Sequence, residues 1–165
     1  MSSLPPSHPH RPQGGTPIPQ IPRLGAADRA LIRTLLRHCD GAPPARQVAG
    51  ILRDKLRIAE HAEEHELDST ARVNGWVSYM IAGGGARRGV LRHGGGLSDS
   101  GAIPLASLLG ATLIGMRPRQ RASLPRPDGS TVTLALLKAA PHPEGVAPLT
   151  QGPTPTRFHI RRKLS

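Results

Sequence analysis

The side chains best suited to metal or proton chemistry gather in one stretch, "EHAEEHELD", residues 60–68. His61 and His65 stand four apart, the spacing at which two imidazoles on one helix face share a metal ion. The zinc-protease pattern H-E-x-x-H is not met, because Ala62 takes the place of its catalytic Glu, and no third ligand is specified. Glu60, Glu63, Glu64, Glu66 and Asp68 supply carboxylates of the kind that hold Mg²⁺ or relay protons. At a helix end such a cluster is expected to face water, with room to pair with basic residues, so no metal site is assigned.

Two glycine-rich stretches, "GGGARRG" and "HGGGLSDSG", invite comparison with phosphate-binding loops. Neither holds G-x-x-x-x-G-K-[ST] or G-x-G-x-x-G, and the second misses the G-x-S-x-G elbow by one residue. They read as a hairpin turn and a connection. No nucleophile stands near a base, so the chain is expected not to be an enzyme and to take neither a small-molecule substrate nor a cofactor.

The charge is more informative. Twenty-two Lys and Arg against 11 Asp and Glu give a net charge of +11, which favours polyanions or acidic protein faces. Arg117, Arg119, Arg121 and Arg126 cluster near the end of the apolar part, and a basic tail, Arg157–Lys163, follows. That is a footprint for phosphate contact. The chain has one Trp, one Tyr and one Phe, so the arginines lack the interleaved aromatics of single-strand binding platforms. Cys39 is the only cysteine, which excludes an internal disulfide and fits a reducing compartment. No run approaches 18 apolar residues, and the first residues lack an apolar signal core. A cytoplasmic protein without membrane contact is expected.

The elements that would carry these residues follow from periodicity. Residues 1–23 are Pro-rich without apolar repeats and are expected to be a disordered tail. Leu31, Ile32, Leu35, Leu36 and Cys39 recur every three to four residues, with Asp28 near the start and "DGAPP" as the stop. A second stripe runs through Val48, Ile51, Leu52, Leu56, Ala59 and Ala62. The short link between them predicts an antiparallel helical hairpin over 24–66. From residue 73 the period falls to two: "VNGWVSYMI" and "RGVLRH" read as paired strands. "IPLASLLGATLIGM" reads as a short strand entering a short helix, and "QRASLPRPDGSTVTLALLKAA" as a hairpin turning at Pro127-Asp128-Gly129. In its last strand Val132, Leu134, Leu136 and Lys138 are assigned to one face. The fold class is α+β: a short N-terminal helical hairpin, then a mostly antiparallel sheet with one short helix over 67–140. A second disordered, basic tail is expected over 141–165.

The segment "AIPLASLLGATLIGMRPRQRASLPRPDGSTVTLALLKA" resembles the C-terminal domain shared by the Gre transcription factors and the Rnk proteins, regulators of nucleoside diphosphate kinase. Ile103, Ser107, Gly110, Leu113, Gly115, Pro125, Asp128 and Gly129 fall on the family pattern, and "LDSTARV" resembles its first strand. The resemblance implies an FKBP-like sheet domain docked on RNA polymerase at the rim of the secondary channel. It implies a docking surface at Ser107, Leu108, Leu109, Gly110, Leu113, Ile114 and Met116, steered by Arg117, Arg119, Arg121 and Arg126. Gre proteins extend a long coiled coil whose acidic tip holds a metal and stimulates transcript cleavage. Here the hairpin is short, and its tip, from Asp40 to Arg46, offers one carboxylate. The Rnk layout fits better, without cleavage stimulation or isomerase activity. The alternative is a basic accessory protein making non-specific DNA or RNA contact.

Overall fold

The two amphipathic runs fold as helices α1 (Ala26–Arg37) and α2 (Ala45–Ile58) in the computed structural model, which describes residues 20–39, 41–94 and 101–141. Ile32 of α1 and Val48, Ala49 and Leu52 of α2 are buried, and the two helices touch each other. Both end earlier than the apolar stripes suggest. The His38 N–H closes α1 on the Leu35 carbonyl at 3.0 Å, leaving Cys39 outside the helix. Ala59 turns extended at φ −65°, ψ 136°, so Ala62 is not part of the α2 stripe. What ends α2 is pairing. Strand β1 (Arg23–Leu24) takes β2 (Glu60–His61) alongside it in parallel.

Residues 20–23, expected within the tail, belong to the fold. The Arg23 N–H donates to the Gly115 carbonyl at 2.9 Å, and the Gln20 side chain accepts from the Arg121 N–H at 2.7 Å. A 3-10 turn, Glu64–Glu66, follows β2. The stretch 67–73, expected as a strand, is not one. Its backbone donors are taken singly: Ala71 N–H by the Met116 carbonyl at 2.8 Å and Val73 N–H by Asp28 Oδ1 at 3.1 Å.

Among the described residues the main sheet has five strands: β3 (Gly75–Ile81), β4 (Ala86–Arg92), β5 (Ala102–Pro104), β6 (Arg121–Pro125) and β7 (Thr131–Pro141). Their order is β5-β4-β3-β7-β6, antiparallel except for the β4–β5 pair. Helix α3 (Leu108–Leu113) lies between β5 and β6 in sequence and packs against α2, β5 and β6. The β6–β7 turn forms as its residues dictate. Gly129 N–H donates to the Arg126 carbonyl at 3.0 Å with Pro127 second in the turn, and Gly129 adopts φ +84°, a conformation that glycine enters without a Cβ penalty.

Strand β7 departs from simple alternation. Its register shifts between Ser78 and Tyr79, whose partners are Lys138 and Leu136, so Leu137 is a bulged residue. Leu134 and Leu136 face inward as expected. Beyond the bulge Ala139 is the buried residue and Lys138 is exposed, so Lys138 does not continue the Leu134–Leu136 face. One apolar cluster joins Leu24, Ile32, Val48 and Leu52 to Val77, Tyr79, Leu91, Leu113, Leu134 and Leu136, so helices and sheet share a core.

Candidate docking face

Helix α3 is started by Ser107, whose Oγ accepts from the Gly110 N–H at 3.0 Å and donates to the Pro104 carbonyl at 2.7 Å. This cap satisfies one free donor of the first turn and fixes the helix to the end of β5. The cost to a docking role is plain in the burial. Gly110, Leu113, Ile114 and Met116, expected at a partner surface, are interior, because a six-residue helix enclosed by β5, β6 and α2 has little free side. Ser107, Leu108 and Leu109 remain half-buried at its start.

Beside α3 a cavity of about 170 Å³ opens, bordered by Gln20, Ile51, Lys55, Ile58, Met116 and Arg121 among others. Ile58 is 48% exposed. Lys55 reaches in from α2 and its Nζ donates to the carbonyl oxygens of Thr112 and Ile114. It thereby satisfies free acceptors at the C-terminus of α3, where a cation also meets the negative end of the helix dipole. Burial pushes the Lys55 ammonium down to about 7, while its two carbonyl acceptors favour the charged form. Chemically, the rim offers an apolar wall and an exposed guanidinium, suited to an apolar side chain with a neighbouring carboxylate.

The four arginines do not form one patch. Arg121 borders the cavity, and Arg117 and Arg119 are exposed on the link before β6. Arg126 sits at the far turn of the hairpin, five residues along the strand, roughly 17 Å away at strand rise. There it lies near Asp128, whose carboxyl is held down by the Ser130 hydroxyl and N–H and, to a lesser degree, by Arg126. Arg46 is exposed at the start of α2. Asp40 and the Arg157–Lys163 tail lie outside the described residues.

The His61/His65 pair is not on one helix face: His61 is in β2 and His65 in the 3-10 turn. Among the described residues no group of three or more His, Cys, Asp or Glu could hold a metal ion. The acidic stretch around them pairs internally, Glu60 with Arg23 at 3.4 Å, Glu66 with Arg23 at 3.9 Å, and Glu64 with Arg72. No described helix is long and apolar enough to cross a membrane.

Three positions have roles in the fold that residue types alone do not reveal. Asp28 is buried and accepts from Val73 N–H, and burial pushes its carboxyl up from the usual range. Arg29 donates to the carbonyls of Ala59 at 2.7 Å, Leu56 at 3.4 Å and Leu24 at 3.4 Å, tying α1 to the end of α2. Trp76 stands on the outer face of the sheet, 37% exposed.

This fold is similar to that of a prokaryotic transcription elongation factor GreA/GreB from Nitrosomonas europaea, with a TM-score of 0.54 at 15% identity, over 73% of this chain and 98% of that one. GreA factor homolog 1 of Thermus thermophilus aligns at 18% identity over 72% and 98% of the two chains, with a TM-score of 0.36. No family model matches the sequence, and no curated protein matches it. The chain has a Gre-like fold.

Proposed function

We propose that this chain is a non-enzymatic transcription regulator of Rnk-like layout that docks on RNA polymerase near its secondary channel. The observation that carries the reading is the structural match to a GreA/GreB factor, which covers 98% of that chain and 73% of this one at a TM-score of 0.54. In this reading α1 and α2 form a short antiparallel hairpin of about 20 Å, and the sheet with α3 is the FKBP-like docking domain. The contact surface is the cavity rim beside α3, where Ile58 and Arg121 reach solvent, rather than the buried side of the helix. Arg121 there, with Arg117 and Arg119 on the link before β6, speeds association with an acidic partner face, a contribution that salt weakens.

Transcript-cleavage stimulation is not part of the proposal. Between Asp28 and Asp54 the sequence holds one carboxylate, Asp40, and a catalytic cation at a tip needs at least one more ligand of that kind. The test is capture of bacterial core RNA polymerase by the tagged chain after nuclease treatment. Capture should persist, weaken from low to moderate salt, and fall further in the Ile58→Asp variant. Capture that disappears with nuclease would overturn the reading.

A further inference from the structure

The outer face of the sheet carries a second arrangement that docking beside α3 does not use. Strand β3 alternates, with Val77 and Tyr79 buried and Trp76 and Met80 exposed at 37% and 40%. Register sets Ser78 between Arg88 of β4 and Lys138 of β7, and Trp76 between Val90 and Ala140. The bulge at Leu137 is what brings Lys138 outward, since uninterrupted alternation after Leu136 would turn it to the core. Ser78 is small and its neighbours are long. Trp76, Arg88, Lys138, Ala140 and Pro141 therefore surround a depression of about 380 Å³, within the roughly 300–1,000 Å³ range of small-molecule clefts.

Charge narrows the occupant. The five strands carry Arg87, Arg88, Arg92, Arg121 and Lys138, and no Asp or Glu. In the chain's richest run of carboxylates, Glu60 and Glu66 pair with Arg23 and Glu64 pairs with Arg72. An apolar peptide would leave Arg88 and Lys138 without counter-charges. Duplex DNA would offer phosphates but hide its base faces. A single strand offers both, a π-face for the indole and a phosphate at each side.

We propose that this face binds single-stranded nucleic acid, one base stacking on Trp76 while adjacent phosphates reach Arg88 and Lys138. The contact is backbone- and stacking-based and shows no strong sequence preference.

Trp76 is the chain's one tryptophan, so its emission reports the site directly. The full chain is titrated with oligo(U), oligo(dT) and a duplex control between about 50 and 200 mM salt, the range over which phosphate contacts show themselves. Both single strands should quench Trp76 saturably and the duplex should not; tighter oligo(U) than oligo(dT) would assign the site to RNA. The Arg88→Ala/Lys138→Ala variant keeps the reporter. Its salt slope should fall by about 1.4, two phosphates at about 0.7 each for a single strand. With a labelled oligonucleotide, Trp76→Leu should bind about 5- to 150-fold more weakly, as loss of one stacked base predicts. All variants are checked for unchanged unfolding midpoints. Binding without Trp76 quenching, or binding unchanged in both variants, would overturn the proposal by locating the contact in other basic segments. So would failure of both single strands to bind.

Discussion

Two glycines in helices should respond to the same substitution with opposite signs. At Gly110, near the start of α3, an added Cβ would lie 2.1 Å from the Pro104 carbonyl oxygen, 2.8 Å from its carbonyl carbon and 3.0 Å from Leu105 Cα. Ordinary carbon–oxygen contact is about 3.3 Å or more, so backbone must yield by about 1 Å. That carbonyl is held by the Ser107 N–H at 3.0 Å and the Ser107 hydroxyl at 2.7 Å, so yielding also strains two hydrogen bonds. Overpacking costs about 1–3 kcal/mol, and each weakened bond up to about 1 kcal/mol. The better helix propensity of Ala returns about 1 kcal/mol, leaving Gly110→Ala destabilised by about 2 kcal/mol, within a span of about 0–4 set by those terms. At Gly50, inside α2, nothing lies within 4 Å of the added Cβ, so Gly50→Ala should stabilise by about 0.8–1 kcal/mol. Urea unfolding followed by far-UV circular dichroism reads both, with unchanged m-values. If Gly110→Ala stabilised the protein as Gly50→Ala does, α3 would not lie against β5 as described. The assignment of Leu113, Ile114 and Met116 to the interior would fall with it.

Three further outcomes follow from buried and half-buried polar groups. Lys55 is held near 7 against 10.5 for an ordinary lysine. The unfolded chain therefore binds the extra proton between those values, and stability should climb with pH across that window, by at most about 5 kcal/mol at about 1.4 per unit. Lys55→Met should flatten the climb; identical pH profiles would refute the enclosed ammonium. Asp28 is shifted the other way by burial, so its folded form holds a proton longer and stability should fall as pH rises above 3.8. Asp28→Asn keeps an acceptor for Val73 N–H and should remove that fall, which acid-to-neutral unfolding curves would show. Arg29→Met should cost about 1.5–3 kcal/mol, the range for hydrogen bonds to charged groups, because it frees the Leu56 and Ala59 carbonyls at the end of α2. A loss below half a kcal/mol in the same urea assay would count against it.

Local chemistry made some of the fold legible in the sequence and left other parts hidden. The Pro127-Asp128-Gly129 turn, the alternation of β3 and the apolar stripes of α1 and α2 depend on neighbours in the chain, and they stand where those residues put them. The end of α2 depends on a strand pairing with Arg23–Leu24, more than thirty residues earlier. That partner is invisible to periodicity, so Ala59, Ala62 and the His61/His65 pair were placed on a helix they do not share. The outward turn of Lys138 depends on a bulge, which two-residue alternation cannot foresee. The residues that the sequence assigns to docking illustrate a different limit. A pattern around Ser107 and Gly110 marks a cap and a close backbone approach, which are structural requirements of α3. The cation at the rim and the exposed Ile58 come from other elements that only the tertiary fold brings beside it.

Docking at the proposed site near the secondary channel implies that this chain and a Gre factor exclude each other from the polymerase. The most direct measurement is competition: a labelled GreA-type factor is bound to nuclease-treated core RNA polymerase, and the full chain is titrated in. Displacement should be complete and saturable, and should weaken as salt rises. A Gre factor that stays bound at saturating concentrations of the chain would contradict it.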